Sequence, residues 1–226
     1  MDADRLNESS DTLTSCKFWA FRDQQYAPAV WAVDYWESTY QYHRPFVVEM
    51  LSAVKFDSLL EIGSGPGPNL RLIHDKYPNA QLTGLDVNLS AVQIGNICIE
   101  TEGWSSVASI QLGRIQHEFM EFAPNSVDIV LSCYALAYIS AKNLPAILSQ
   151  MLIVARKAVV IAEPMKIRCL PEAKQIVDWP LQWRHDYCCS LINAAWEMGI
   201  QRYEITIQEV IPSVNFLNAV IMLQKV

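Results

Sequence analysis

The chain has 226 residues, 51% of them hydrophobic, which suffices for one well-buried core and is short for two independent domains. Its 17 basic and 24 acidic residues leave a net charge of −7, and no run of Lys or Arg could neutralise a row of phosphates, so nucleic acid is not expected as a partner. Residues 1–15 lack the basic, apolar start of an export signal, and the longest apolar runs, such as 158–162, fall far below the roughly 20 residues of a membrane span. A soluble, cytoplasmic protein is expected. The 6 cysteines include no C-x-x-C pair and no metal-ligand spacing to His, and they read as reduced thiols, with Cys188 and Cys189 as small buried hydrophobes.

In chain order, residues 1–43 are expected to form a flexible N-terminus followed by a helical cap dense in Phe, Trp and Tyr. Phe46, Val47, Met50, Leu51 and Val54 follow the spacing of an amphipathic helix. The apolar run 58–62 predicts a strand, which ends at a glycine cluster (Gly63, Gly65, Gly67) before Pro68 opens a helix through Tyr77. A second strand, 81–85, stops at Asp86 and is followed by the helical pattern of Ala91, Val92, Ile94, Ile97 and Cys98. Strands at 107–112, 127–132 and 158–162, with a helix over 144–155, continue the alternation, which implies a mostly parallel, doubly wound sheet.

The pattern breaks across 171–183. A helix from about Asp186 to Met198 then ends at Gly199, which suits a C-terminal cap. Of the two final strands, 203–210 alternates apolar and polar residues, as an outer strand does, whereas 218–223 is nearly all apolar, as an inner one is. The predicted fold is therefore α/β: seven strands, mostly parallel with an antiparallel last strand, carrying an N-terminal cap and a helical insertion after the fifth strand. Residues 44–226 form the main domain, with a lid insertion at about 164–185.

A strand-to-helix turn offers unpaired N–H groups and partial positive charge, and glycines let a ligand approach its backbone. A dinucleotide site wants G-x-G-x-x-G, but here Pro68 stands where the last glycine belongs; a P-loop wants Lys then Ser or Thr, and Asn69, Leu70 and Arg71 follow instead. Leu59-Leu60-Glu61-Ile62-Gly63-Ser64-Gly65-Pro66-Gly67 resembles motif I of the class I S-adenosylmethionine-dependent methyltransferases. The resemblance continues in Gly84-Leu85-Asp86-Val87, at the end of the second strand, and in Ser126–Ser132, which looks like that family's fourth strand.

The resemblance implies S-adenosyl-L-methionine as cofactor, with Glu61, Gly63, Ser64, Gly65, Asp86, Val87 and Ser132 around it. A carboxylate at Asp86 suits two ribose hydroxyls, because charge-assisted hydrogen bonds are the stronger kind. The family's adenine-contacting loop falls on Gln116 and His117, where this chain departs from the frequent Asp. Ala155-Arg156-Lys157-Ala158 likewise replaces a common K-P-G-G turn.

The methyl acceptor is expected beyond the carboxyl ends of the strands, near Tyr134. Tyr134, Trp36 and Tyr26 are candidates to offer a ring face to the cationic sulfonium. His185 is the first candidate for a proton-accepting base and His43 the second. The aromatic residues of the cap and of the insertion around Trp179, Trp183 and Tyr187 suggest an enclosed pocket for a small organic acceptor, methylated on oxygen or nitrogen. Neither nucleic acid nor a membrane is an expected partner, and a homodimer is a candidate assembly. Two other functions remain open from sequence: a non-catalytic methyltransferase-like subunit and an NAD-dependent oxidoreductase.

Overall fold

The structure is a computed structural model that describes residues 17–22, 30–165, 174–175, 183–213 and 216–226. Tyr26, Trp179 and most of the expected lid insertion lie outside the described residues. The cap contains helix α1 (Val30–Trp36) and a 3-10 turn (Ser38–Tyr40). Then come α2 (Arg44–Leu51), β1 (Ser58–Ile62), α3 (Pro68–Lys76), β2 (Gln81–Asp86), α4 (Leu89–Thr101), β3 (Ala108–Leu112) and β4 (Val127–Cys133). The chain continues with α5 (Leu144–Val154), β5 (Ala155–Met165), the short pair β6 (Lys174–Gln175) and β7 (Trp183–Arg184), α6 (Tyr187–Glu197), β8 (Tyr203–Ser213) and β9 (Phe216–Lys225).

One seven-stranded sheet has the order β3-β2-β1-β4-β5-β9-β8. Strands β1 to β5 pair in parallel, and β9 runs antiparallel between β5 and β8. The expectation of an outer 203–210 strand and an inner 218–223 strand holds, for β9 lies between β5 and β8 with Ala219 to Leu223 buried, and β8 is the edge. Neighbouring residues of one strand point to opposite faces. Thus Leu59, Ile129 and Val160 join a core under α2, α3 and α4, while Leu60, Val130 and Ile161 join a second core under α5 and α6.

Strand β5 begins at Ala155, three residues earlier than the apolar run suggested, because Arg156 and Lys157 both reach the carboxylate of Asp128 on the adjacent β4. Helix α2 ends at Leu51, short of Val54. Cys188 and Cys189 sit on α6 half-buried and exposed, which corrects their reading as a buried pair. No helix among the described residues is long and apolar enough to cross a membrane.

Strand order reverses between β1 and β4, which opens a crevice at the carboxyl ends of the strands. The register aligns those ends, since Ile62 lies opposite both Leu85 and Ser132, and Asp86 lies opposite Leu112.

Candidate active site

The glycine turn is held open by backbone geometry that favours glycine. Gly63 and Gly65 have φ of 71° and 57°, and Gly67, the N-cap of α3, has 99°. A Cβ on Gly63 would stand 2.3 Å from the Cβ of Ala135, so this turn and the one after β4 touch backbone to side chain. The Gly63 and Ser64 amides both donate to the Leu85 carbonyl, at 2.7 and 3.2 Å, which locks the turn to the end of β2.

Asp86 closes the arrangement: Oδ2 accepts from the Gly65 amide at 2.7 Å and Oδ1 from the Asn88 amide at 2.9 Å. Desolvation pushes its carboxyl above the ordinary range, while the Asn88, Gly65 and Val87 amides pull it back. Asn88 caps α4 by accepting from the Ala91 amide and also donates to the Trp19 carbonyl at 2.7 Å, tying residues 17–22 over the crevice.

The crevice forms an open cleft. Of the residues expected from sequence, Gly63, Gly65, Asp86, Val87, Gln116 and Tyr134 line it. Glu61, Ser64 and Ser132 instead lie buried behind the lining. His117 is not among the lining residues, although Gln116 beside it is.

Trp36 requires correction as a cofactor contact. Only 2% exposed, it belongs to the core, stacked on Trp104 with ring centroids 5.9 Å apart and covered by the Arg71 guanidinium. Its neighbour Tyr35 turns the other way and lines the cleft beside Gly65, as Trp31 does one helical turn earlier. Seven residues of helix were too few to tell which aromatic stripe faced inward.

The two histidines expected as bases stand behind the cleft wall. His185, 2% exposed, places Nε2 2.8 Å from the Ile139 carbonyl. That nitrogen must donate, because a carbonyl only accepts. Burial lowers the His185 pKa to about 4, so the ring is neutral at physiological pH. Asp186 accepts from the Cys189 amide and serves as the cap of α6. His43, also buried, sits under Tyr134 with ring centroids 4.6 Å apart, and burial with the nearby Arg44 charge lowers it to about 4. Tyr134 itself reaches the cleft from a left-handed backbone conformation, φ 57°, with its hydroxyl 3.3 Å from that of Tyr42. Desolvation pushes its phenol, and the thiol of Cys133, well above their ordinary values, so both stay protonated.

Beneath the glycine turn runs a buried polar relay. Arg44 spends its guanidinium on the Ser38 carbonyl, Ser38 Oγ, Gln41 and Asn69, and Asn69 donates to Glu61 Oε1 at 2.5 Å. Burial raises Glu61 to about 8, and its Oε2 has no hydrogen-bond partner among the described residues. At neutral pH Glu61 is thus mostly protonated; an ammonium held above it would favour the ionised form and make Oε2 an acceptor, while the Asp86 carboxylate on the cleft wall suits hydroxyls.

Sequence reasoning missed Trp19, Arg22, Trp31, Tyr35 and Tyr138, which supply the aromatic and cationic part of the lining. Arg22 lies between two indoles, 4.6 Å from the Trp19 ring and 5.0 Å from that of Trp31. It also missed Glu163. The signal was present: Glu163 ends the apolar run 158–162 as Asp86 ends 81–85, one strand end for another.

Residues 59–158 match the family model described as a methyltransferase domain. No curated protein matches the chain. Among solved structures, the geranyl diphosphate C-methyltransferase of Streptomyces coelicolor A3(2) superposes with a TM-score of 0.63 at 11% identity, covering 80% of this chain and 79% of that one. The N-terminal domain of EvdMO1 gives 0.63 at 14% identity, over 82% of this chain and 84% of that one. The cyclase SpnF gives 0.62 at 17% identity, over 80% and 79%. At such identities the likeness is one of fold. With residues 59–158 matching a methyltransferase domain and set in a doubly wound, seven-stranded sheet, the chain is similar to the class I, Rossmann-like methyltransferases and shares their fold.

Proposed function

We propose that the cleft binds S-adenosyl-L-methionine and that the protein transfers its methyl group to the oxygen or nitrogen of a small organic molecule in the cytoplasm. The observation that carries this reading is the Gly63–Gly65 turn joined to the Asp86 carboxylate at the strand-order reversal. The bound cofactor supplies an electrophilic methyl on a cationic sulfonium. Gly63 and Gly65 would admit its amino-acid portion against the backbone, where its ammonium would favour the ionised form of Glu61 and make Oε2 the buried acceptor below. Asp86 accepts from the ribose hydroxyls with lone pairs that its two amide donors leave over. Gln116 borders the adenine end.

Tyr35, Trp31, Tyr138 and Tyr134 wall off water and offer ring faces to the sulfonium, each worth roughly 0.5 to 2 kcal/mol. In this reading catalysis is mainly positional, since an in-line displacement needs the nucleophile held at near-attack distance. Tyr134 touches the reacting groups, and its protonated phenol can orient an acceptor but not deprotonate it. His43 and His185 hold the wall in place.

Titration calorimetry with S-adenosylhomocysteine tests the reading, and micromolar binding is expected. No saturable heat at millimolar ligand would end it, and NAD binding in its place would favour the oxidoreductase. Pro68 opposes that alternative, because it removes one N–H from the helix start where a pyrophosphate would sit.

A further inference from the structure

Glu163 has the most demanding surroundings of any carboxylate described. It is 1% exposed, at the carboxyl end of β5. Its Oε1 accepts from Ser132 Oγ and from the Ala135 and Leu136 amides, each at 2.8 Å, and its Oε2 accepts from the Ala137 amide at 3.2 Å. All four donors belong to the last turn of β4 and to the segment that follows, a 3-10 turn at Leu136–Tyr138. The same segment lines the cleft through Tyr134, Ala135, Tyr138 and Ile139.

Two features show that this segment does not hold its shape unaided. Tyr134 sits at φ 57°, which costs a non-glycine residue of order 1 kcal/mol and persists only where the surroundings impose it. Its amide is taken by the Ala162 carbonyl at 3.0 Å, and the next three amides turn toward Glu163, the residue after Ala162. The side chain thus replaces the backbone acceptors that the tight turn has lost. The position of Ala135 matters most, because a Cβ on Gly63 would stand 2.3 Å from that of Ala135.

We propose that Glu163 is a positioning residue: its carboxylate clamps the turn after β4 against the glycine turn and holds the cleft wall in the form that binds the cofactor. This rests on the reading of the cleft as the S-adenosylmethionine site. It makes the wall sensitive to pH. Burial raises Glu163 to about 7, against the pull of its four donors. The groups facing it, Cys133 and Tyr134 from the β4 end and Tyr187 from α6, are all pushed upward by burial and stay neutral there. Protonation leaves Oε1 able to accept but turns Oε2 into a poor partner for the Ala137 amide.

The test compares wild type and Glu163→Gln, which keeps the Oε1 acceptor and mimics the protonated acid. Affinity for S-adenosylhomocysteine is measured by calorimetry between pH 5.5 and 8.5, as probe conditions, and amide hydrogen exchange is followed at Ala135 to Ala137 without ligand. Wild-type affinity should fall as pH drops through 7. Glu163→Gln should bind about tenfold more weakly at high pH, the low end for one charged hydrogen bond, with a flat profile and faster exchange at Ala137. Glu163→Asp, circular dichroism and melting serve as controls for the fold, and Asp should restore the pH slope in part. Equal affinity, slope and exchange in wild type and Glu163→Gln overturn the positioning role while leaving the cofactor reading intact. A folded wild type that binds no S-adenosylhomocysteine at any pH overturns both.

Discussion

At the scale of single residues, the site depends on a few atoms that have no substitute. Asp86 serves both as the cleft's carboxylate and as the acceptor for the Gly65 and Asn88 amides. Asp86→Ala should therefore weaken S-adenosylhomocysteine binding by about 1.5 to 3 kcal/mol, the range for hydrogen bonds to a charged group. Calorimetry on the folded variant checks this, and an unchanged affinity would remove Asp86 from the site. Gly63→Ala should be worse for the protein than for the ligand alone. The new methyl would meet the Ala135 Cβ at 2.3 Å on a backbone at φ 71°, and overpacking of this kind costs about 1 to 3 kcal/mol. A lowered urea midpoint is the expected observation. A wild-type midpoint would mean that the turn after β4 yields without cost.

At the scale of elements, His185 marks where local sequence and tertiary context part. Its place before α6, at the end of the expected lid insertion, made it a candidate base, yet it is buried with Nε2 on the Ile139 carbonyl. Stacked on Trp183 and edge-on to Tyr187, it joins β7 to α6 and to the turn after β4. His185→Ala should accordingly destabilise the protein by about 1 to 3 kcal/mol, the cost of leaving a buried partner unsatisfied. Thermal melting measures that loss. An unchanged melting temperature, joined to a fall in turnover of about 10² to 10⁴, would restore the role of general base. The cap teaches the same lesson, since Trp36 and Tyr35 are adjacent on α1 and one enters the core while the other enters the cleft.

At the scale of the whole molecule, the buried ionisable groups set how stability responds to pH. Glu61 and Glu163 titrate at about 8 and 7, above the ordinary 4.5, so between 4.5 and 8 these two groups bind more protons in the folded chain than in the unfolded one. Their contribution to stability therefore falls as pH rises through that window. His43 and His185, lowered from 6.5 to about 4, act in the opposite sense, and their contribution grows up to pH 6.5 and is complete above it. Among these four groups only the carboxyls act between pH 6.5 and 8. Urea midpoints should drop across that interval in the wild type and drop less in Glu61→Gln with Glu163→Gln. A midpoint that rises from pH 6.5 to 8 would contradict the assignment.

The sequence by itself determined the seven strands, their alternation with helices, the outer and inner order of the last two, the glycine turn and Asp86. These are local properties: apolar period, glycine where φ is positive, and a carboxylate at a strand's end are written in consecutive residues. Only the tertiary structure decided the rest. Glu163 and the turn after β4 are 26 to 31 residues apart in sequence and meet because β4 and β5 are neighbours. Arg44, Asn69 and Glu61 form one relay because α2 and α3 cross the same face of the sheet. Whether an aromatic lines the cleft or fills the core, and whether a histidine is a base or a strut, depends on which distant backbone lies opposite it, and no spacing along the chain encodes that.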